Sequence, residues 1–328
     1  MTRIVSGIQP SGALHLGNYF GAMRQHLELA RSGAECLFFI ADYHALTTLR
    51  DPALLRTRTY QIAAAYLALG LELSKGVHLV RQSDFPEVHE LAWILGCVTN
   101  MGTLQRAHSY KDLTAKNLPI PVGTFAYPLL MASDILLHEG EIIPVGRDQH
   151  QHVQIAEEVA RHFNETFGKG KKLLKEPTAQ ISPTPVVPGL DGHKMSKSRG
   201  NTIPLFLPPA DLKKLVFGIK TTSTPLGDPL EPGTEFDLLK LFLTSETELQ
   251  KVETAYASGT MNGKAFGYGH AKQLLISKIE AMFGPFRGRY FELLQDPQAI
   301  ERRLRSERDR VAPHAQRVIR EVRAACGL

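Results

Sequence analysis

The sequence predicts a doubly wound α/β fold built on a parallel sheet, followed by an all-helical C-terminal region. Two observations carry this. Up to Phe167, short apolar runs alternate with helix-length amphipathic stretches, and strands joined by helix-length connections pair in parallel. Beyond Phe167 the strand-length apolar runs give way to a basic loop, a proline-rich stretch and then helical periodicity. A chain of 328 residues suits two domains, and the change of texture divides it into residues 1–188 and 189–328.

The elements follow in order. Arg3–Ile8 reads as the first strand and Leu16–Arg31 as the helix after it. The apolar run Cys36–Ala41 is the second strand. Pro52–Leu69 is a helix with proline in its first turn, where a missing N–H costs nothing. Val77–Val80 is the third strand and Pro86–Val98 another helix. After a polar loop come a helix at Pro128–Leu137, a short strand at Glu141–Val145 and an amphipathic helix at Asp148–Phe167. Gly168–Lys172 is a basic, glycine-broken loop, and Pro177–Pro188 reads as a connection. From Ala210 onward the pattern is helical, with turns such as Thr224–Gly233 between segments. Pro297–Leu328 reads as helix interrupted at Pro313. It holds eight arginines against four acids, either a solvated charged face or a contact surface for RNA phosphates.

Composition narrows the class. Hydrophobic residues make up 43% and charged residues 22%, so extensive disorder is excluded. The net charge of +5 is compatible with a polyanionic partner. The N-terminal segment has no apolar signal core, and no apolar run approaches bilayer length. Cys36, Cys97 and Cys326 lie far apart, in neither a disulfide framework nor a metal-ligand spacing. A cytoplasmic protein without a membrane partner is expected. His150 and His152 point to different faces of a helix, so no protein metal site is expected there. Gly259–Ala265 has the wrong glycine spacing for a P-loop.

Two separated strings carry chemistry. Gly7-Ile8-Gln9-Pro10-Ser11-Gly12-Ala13-Leu14-His15-Leu16-Gly17-Asn18 joins the first strand to the first helix. Such a turn presents backbone N–H groups and the positive end of a helix dipole. His15 and Asn18 add donors, and Gly17 lets a flat base approach the backbone. Triphosphate binding, with adenine packed on the helix, suits this string. The second string, Lys194-Met195-Ser196-Lys197-Ser198, sets two lysines around a hydroxyl beside the glycines at 189 and 192. Lysine is a point charge on a long stem, able to follow a departing phosphate.

Together the strings resemble the paired signatures of class I aminoacyl-tRNA synthetases. Gly7–Gly12, Pro128–Leu137 and Val145–Gln149 resemble the corresponding stretches of bacterial tryptophanyl-tRNA synthetases more closely. The resemblance spans the chain, is strongest through Met1–Ser198, and implies a Rossmann-like catalytic domain with a mobile signature loop and helical anticodon-binding region after it. The last helix is expected to pack back on the catalytic domain.

A tryptophan pocket needs an apolar slot and an acceptor for the indole N–H, which is donor-only. Asp134 has that property, one helical turn beyond Met131, and the resemblance implies that it reads the indole. The resemblance implies that Met131, Ile143 and Val145 line the slot, and that Gln9, His44, Tyr127 and Gln149 fix the ammonium and carboxylate. It implies ATP contacts from Gln9, Pro10, Ser11, Gly17, Asn18, Gly146, Arg147, Asp148, Val187, Lys194, Met195, Ser196, Lys197 and Ser198. His15, Lys111, Lys194 and Lys197 would neutralise the triphosphate, with Mg²⁺ carried on the phosphates. Arg147 stands where many relatives carry an acid, and Leu113 where they often carry a second lysine; Lys116 lies near enough to substitute. Some family members bind an iron–sulfur cluster through four cysteines, a pattern that three cysteines do not match, so none is expected.

The implied reaction joins L-tryptophan to its tRNA, tRNA(Trp), at the expense of ATP, in a homodimer. Three rivals stand beside it: the sister specificity for tyrosine, a small-molecule nucleotidyltransferase sharing the His-x-Gly string, and a catalytically silent paralogue.

Overall fold

A computed structural model describes residues 2–74, 76–146, 149–181 and 186–328, without the side chains of residues 108 and 109. The elements are β1 (Arg3–Ile8), α1 (Leu16–Asn18), a π-helical segment (Tyr19–Met23), α2 (Arg24–Ala30), β2 (Glu35–Ile40), α3 (Asp42–Ala45) and α4 (Pro52–Ala68). β3 (Val77–Arg81), a 3₁₀ turn (Gln82–Asp84), α5 (Glu87–Cys97), α6 (Met101–Gln105), α7 (His108–Ala115) and α8 (Val122–Leu137) follow. Next come β4 (Ile142–Val145), α9 (His150–Phe167) and β5 (Thr178–Ile181). The remainder is α10 (Pro209–Phe217), α11 (Thr234–Lys240), α12 (Glu246–Ser258), the hairpin β6 (Thr260–Met261) and β7 (Lys264–Ala265), α13 (Tyr268–Gln295) and α14 (Pro297–Cys326).

Two compact units emerge. The first, Met1–Ser11 with Gln25–Pro183 and Asp296–Leu328, holds a parallel sheet in the order β3-β2-β1-β4-β5. The chain winds outward from β1 through β2 and β3, then returns to the other side of β1 for β4 and β5. This is the doubly wound fold expected from the alternation, and its switch point lies between β1 and β4. Beyond Glu35, β2 is apolar because both its faces are covered. On one face Leu37 and Phe39 join a core with Val80, Leu91, Leu136 and Ile143. On the other, Phe38 stacks on His26 at a centroid distance of 4.5 Å.

Beside that stack a buried relay ties four elements. Ser6 Oγ donates to the Pro144 carbonyl at 3.2 Å, so its lone pair accepts from His26 Nε2 at 2.9 Å. His26 Nδ1 then accepts from the Tyr66 hydroxyl at 2.6 Å. Burial holds the imidazole pKa down to about 3, and a neutral ring has the one donor and one acceptor this chain requires.

The second unit, Gly12–Arg24 with Thr184–Gln295, is helical apart from the small hairpin. Its interior is an aromatic cluster in which Phe283 meets Tyr19, Phe206 and Phe242 edge-on.

Several elements differ from expectation. The compact units divide after Ser11, Arg24, Pro183 and Gln295. Leu14–Leu16 is hydrogen-bonded to 203–205, and α14 buries Ile300, Leu304, Val318 and Ile319 within the sheet unit. The first helix is interrupted by its π-helical segment, after which the unit boundary falls between Arg24 and Gln25. The helix read from Pro128 begins at Val122 and carries Pro128 inside it. α14 runs unbroken through Pro313; the buried apolar row on both sides of the proline outweighs one lost hydrogen bond. The supposed connection after Pro177 contains β5, a mostly exposed edge strand with little apolar signal. The string around Gly263 is a hairpin turn, with Asn262 and Gly263 at φ 53° and 75°, as Asn-Gly favours.

Candidate active site

In the sheet unit the chemistry-bearing residues gather after the carboxyl ends of the strands. Gln9 follows β1, His44 follows β2, Gln82 follows β3, and Gly146 and Gln149 follow β4. Gly7, at the end of β1, has no room for a side chain: a Cβ there would stand 2.6 Å from the Phe39 ring.

Asp134 lies on α8, buried at 1% exposure. Gln82 Nε2 donates to its Oδ1 at 3.0 Å and its Oδ2 at 2.8 Å. His44 Nε2 stands 3.0 Å from Oδ2. Burial raises the Asp134 pKa, while the His44 contact and the Gln82 hydrogen bond oppose the rise. Ala132 and Ile143 belong to the core beside it, and Met131 and Val145 pack half-buried against that core. Tyr127 sets its ring edge-on to His44 at 4.7 Å, and its hydroxyl donates to Gln149 Oε1 at 3.4 Å. Sequence-read Asp134, His44, Tyr127, Met131 and Gln149 therefore fall in one neighbourhood, while Ile143 and Val145 belong to the same core as Ala132 and Met131. His44 is a direct neighbour of the acid, an arrangement the sequence did not reveal.

A second brace lies one residue on. The Asp42 carboxylate accepts from the Ser83 hydroxyl at 2.5 Å and from the Ser83 amide at 3.0 Å. The Gln82–Asp84 turn thus grips α3 twice, through Gln82 Oε1 on the Tyr43 and His44 N–H groups and through Ser83 on Asp42.

In the second unit the two signature strings meet. Leu16 N donates to Ile203 O at 2.9 Å and Leu205 N to Leu14 O at 3.3 Å. Met195 N donates to Val187 O at 2.8 Å. A Cβ at Gly17 would stand 2.9 Å from the His15 ring and 3.7 Å from the Met195 Cβ. The missing side chain at 17 therefore accommodates His15 itself, as well as leaving the backbone open. Asn18 Oδ1 accepts from the His15 amide at 3.1 Å, closing the turn. Burial first, and the Lys197 charge second, lower the His15 pKa to about 4. Lys194 and Ser198 are exposed, Ser196 and Lys197 half-buried, and Val187 and Met195 buried. Lys194 opens, with Arg24 and Lys240, onto a concavity of about 640 Å³.

The 194–198 segment has a clasp that sequence reading missed. Buried Asn201 accepts from Ser196 N at 2.8 Å and donates to Asp191 Oδ1 at 2.6 Å and to Lys194 O at 3.3 Å. A Cβ at Gly189 would lie 2.2 Å from the Asn201 amide, so that glycine makes room for the clasp. Gln82 was missed as well; its place right after a strand end was the only signal.

Other site residues are placed less informatively. Pro10 is buried, and Gln9 and Ser11 half-buried, on the loop leaving β1. Lys111 on α7 and Lys116 just beyond it are exposed in the sheet unit. Arg147 and Asp148 lie outside the described residues. Among the described residues no group of three His, Cys, Asp or Glu is arranged to hold a metal ion, and no helix is long and apolar enough to cross a membrane.

Comparison with known proteins gives the site its context. Residues 1–284 match the family model of class I tRNA synthetases for tryptophan and tyrosine. A tryptophan–tRNA ligase of Rhodopirellula baltica is 41% identical, over 99% of both chains. One from Fusobacterium nucleatum is 42% identical, over 89% of this chain and 88% of its own. The crystal structure of the Campylobacter jejuni tryptophanyl-tRNA synthetase with ADP and tryptophan is 40% identical, covers 100% of both chains and superposes with a TM-score of 0.88. With full-length identity at this level, and with His15 and Gly17 set beside the 194–198 segment, the chain belongs to the class I tRNA synthetases, in their tryptophan–tRNA ligase branch.

Proposed function

We propose that the chain activates L-tryptophan with ATP and then esterifies the terminal adenosine of tRNA(Trp), with the residue roles that follow. The carrying observation is Asp134: a buried carboxylate facing hydrogen-bond donors and bordered by apolar side chains suits an aromatic ring with one N–H. The ADP and tryptophan in the Campylobacter jejuni structure support the same two ligands here.

In the first step a tryptophan carboxylate oxygen bonds to the α-phosphorus of ATP and the bond to the β-phosphate oxygen breaks, releasing pyrophosphate. The carboxylate is already ionised at neutral pH, so no general base is required. Catalysis then rests on positioning and on opposing the developing charge. His15, neutral near pH 7, donates a hydrogen bond to phosphate, and Lys194, Lys197 and Lys111 supply positive charge. Mg²⁺ travels with ATP as part of the substrate. Gln9, Tyr127 and Gln149 hold the amino acid's ammonium and carboxylate. His44, with Nε2 turned to Asp134, serves the ring-reading acid first.

In the second step the adenosine 2′-hydroxyl takes the acyl group and AMP leaves. Helices of the second unit read the anticodon, where unpaired bases offer edges and faces. The protein works in the cytoplasm as a homodimer. Trp93 on α5, Met101 on α6 and Val122 on α8 are 77%, 65% and 82% exposed, apolar side chains that a second copy of the chain would cover.

ATP–pyrophosphate exchange with each amino acid in turn tests the reading. Exchange with tryptophan alone is expected. Exchange with tyrosine instead would overturn the specificity, and none from a folded, Mg²⁺-supplied sample would favour a silent paralogue. Lys194→Ala and Lys197→Ala should lose kcat far more than tryptophan affinity.

A further inference from the structure

Gln82 has no freedom in how it faces Asp134. Its Oε1 accepts the backbone N–H groups of Tyr43 at 3.0 Å and His44 at 3.3 Å. Flipping the amide would set its NH₂ against those two donors. The backbone after β2 therefore dictates that Nε2 points at the carboxylate, where it reaches both oxygens. At 2% exposure for Gln82 and 1% for Asp134, no bulk water competes.

An ionised carboxylate has about four acceptor positions. Among the described residues Gln82 contacts both oxygens and His44 contacts Oδ2, which leaves one position, on Oδ1. We propose that Gln82 is a specificity-determining residue that acts through Asp134: it keeps the acid a pure acceptor with one open lone pair, so the pocket admits a ring bearing an N–H and refuses one without it. The proposal rests on the reading that Asp134 meets the indole.

The test compares L-tryptophan with 3-benzothienyl-L-alanine, whose ring has sulfur in place of the N–H. It measures kcat/KM in ATP–pyrophosphate exchange for the unmodified protein, Gln82→Met and Gln82→Glu. A site built to bond an N–H strands its acceptor when the group is missing, so the unmodified protein should prefer tryptophan by about a hundredfold or more. Both variants should cut that preference by about tenfold or more, chiefly through a higher tryptophan KM, because a misaimed acceptor forfeits most of this discrimination. Gln82→Glu keeps the acceptor for Tyr43 and His44 but replaces the amide donor by a carboxyl whose charge or shared proton occupies Asp134, so it too takes away the open acceptor and carries the test if the Met variant does not melt cooperatively. An unmodified protein indifferent to the two substrates would sink the Asp134 reading itself. Full preference in the unmodified protein and in a folded variant, with both substrates losing rate alike, would make Gln82 a structural residue and overturn the proposal.

Discussion

At the scale of single residues, burial sets the chemistry of two groups in opposite directions. The His15 imidazole is pushed down to about 4 by desolvation and then by Lys197, so it is uncharged through the neutral range. In the proposed reaction it therefore acts as a neutral donor. The single-turnover rate of adenylate formation should show no His15 titration near 6.5, and should change on its account only as pH falls toward 4. A rate limb near 6.5 that vanishes in His15→Asn would contradict this. Asp134 is raised by burial, against His44, Gln82 and the more distant charge of His89. An acceptor is needed for a donor-only ring, so tryptophan affinity is present above the raised pKa and is lost as pH falls through it. Tryptophan KM should climb on the acid side earlier than for an ordinary carboxylate. Asp134→Ala should abolish that limb and raise phenylalanine misactivation; a limb that survives the substitution belongs to another group.

At the scale of elements, short turns after strand ends carry more of the site than the helices do. The Gln82–Asp84 turn braces α3 and Asp134, and Asn201 closes the 189–201 segment around the second signature. Asn201→Ala would leave the Ser196 N–H and the Lys194 carbonyl without that partner, a cost of about 1–3 kcal/mol for each group that stays dry. It should lower kcat for pyrophosphate exchange by about tenfold, the rate equivalent of 1.4 kcal/mol. Tryptophan KM should stay within about twofold, because the tryptophan-reading residues stand in the other unit. A matching rise in KM would mean the clasp acts on the whole fold. Legibility divides along the same line. β1, β2, α4 and α5 were readable because apolar periodicity reports burial. His15, Lys194 and Lys197 stood out as candidates because their glycine-bounded strings are distinctive. Gln82 and Asn201 were not, since an amide side chain is common and only its partners, brought by tertiary contact, give it a role. β5 escaped because an exposed edge strand has no apolar signature, and the Asn262-Gly263 hairpin because its turn was weighed only as a phosphate loop.

At the scale of the whole molecule, the chain runs more than once through each compact unit. It passes between the two compact units after Ser11, Arg24, Pro183 and Gln295. The arginine-rich last helix is the clearest case. Arg323 pairs with Glu90, Arg317 with Glu139 at 2.6 Å, and Arg305 and Arg310 with acids of α14 itself. From the sheet, Arg81 reaches Glu301 at 2.7 Å, and His78 reaches buried Glu307 at 2.7 Å. Much of the charge that suggested an RNA surface is thus committed to acids within the fold. Along the same helix Ile300, Leu304, Val311, Ala315, Val318, Ile319 and Val322 are buried. At about 1.5–3 kcal/mol for each large apolar side chain, the six beyond alanine contribute roughly 9–18 kcal/mol before entropy is counted. The net stability of a whole domain is only about 5–15 kcal/mol. Removing residues from 296 onward should therefore unfold the sheet unit, besides affecting tRNA recognition. The shortened chain should lose the cooperative thermal transition of that unit and all tryptophan-dependent exchange, which needs no tRNA. A truncated protein that still melts cooperatively and forms tryptophanyl-adenylate would show that α14 only rests on the sheet, and that the charge on it is available for RNA after all.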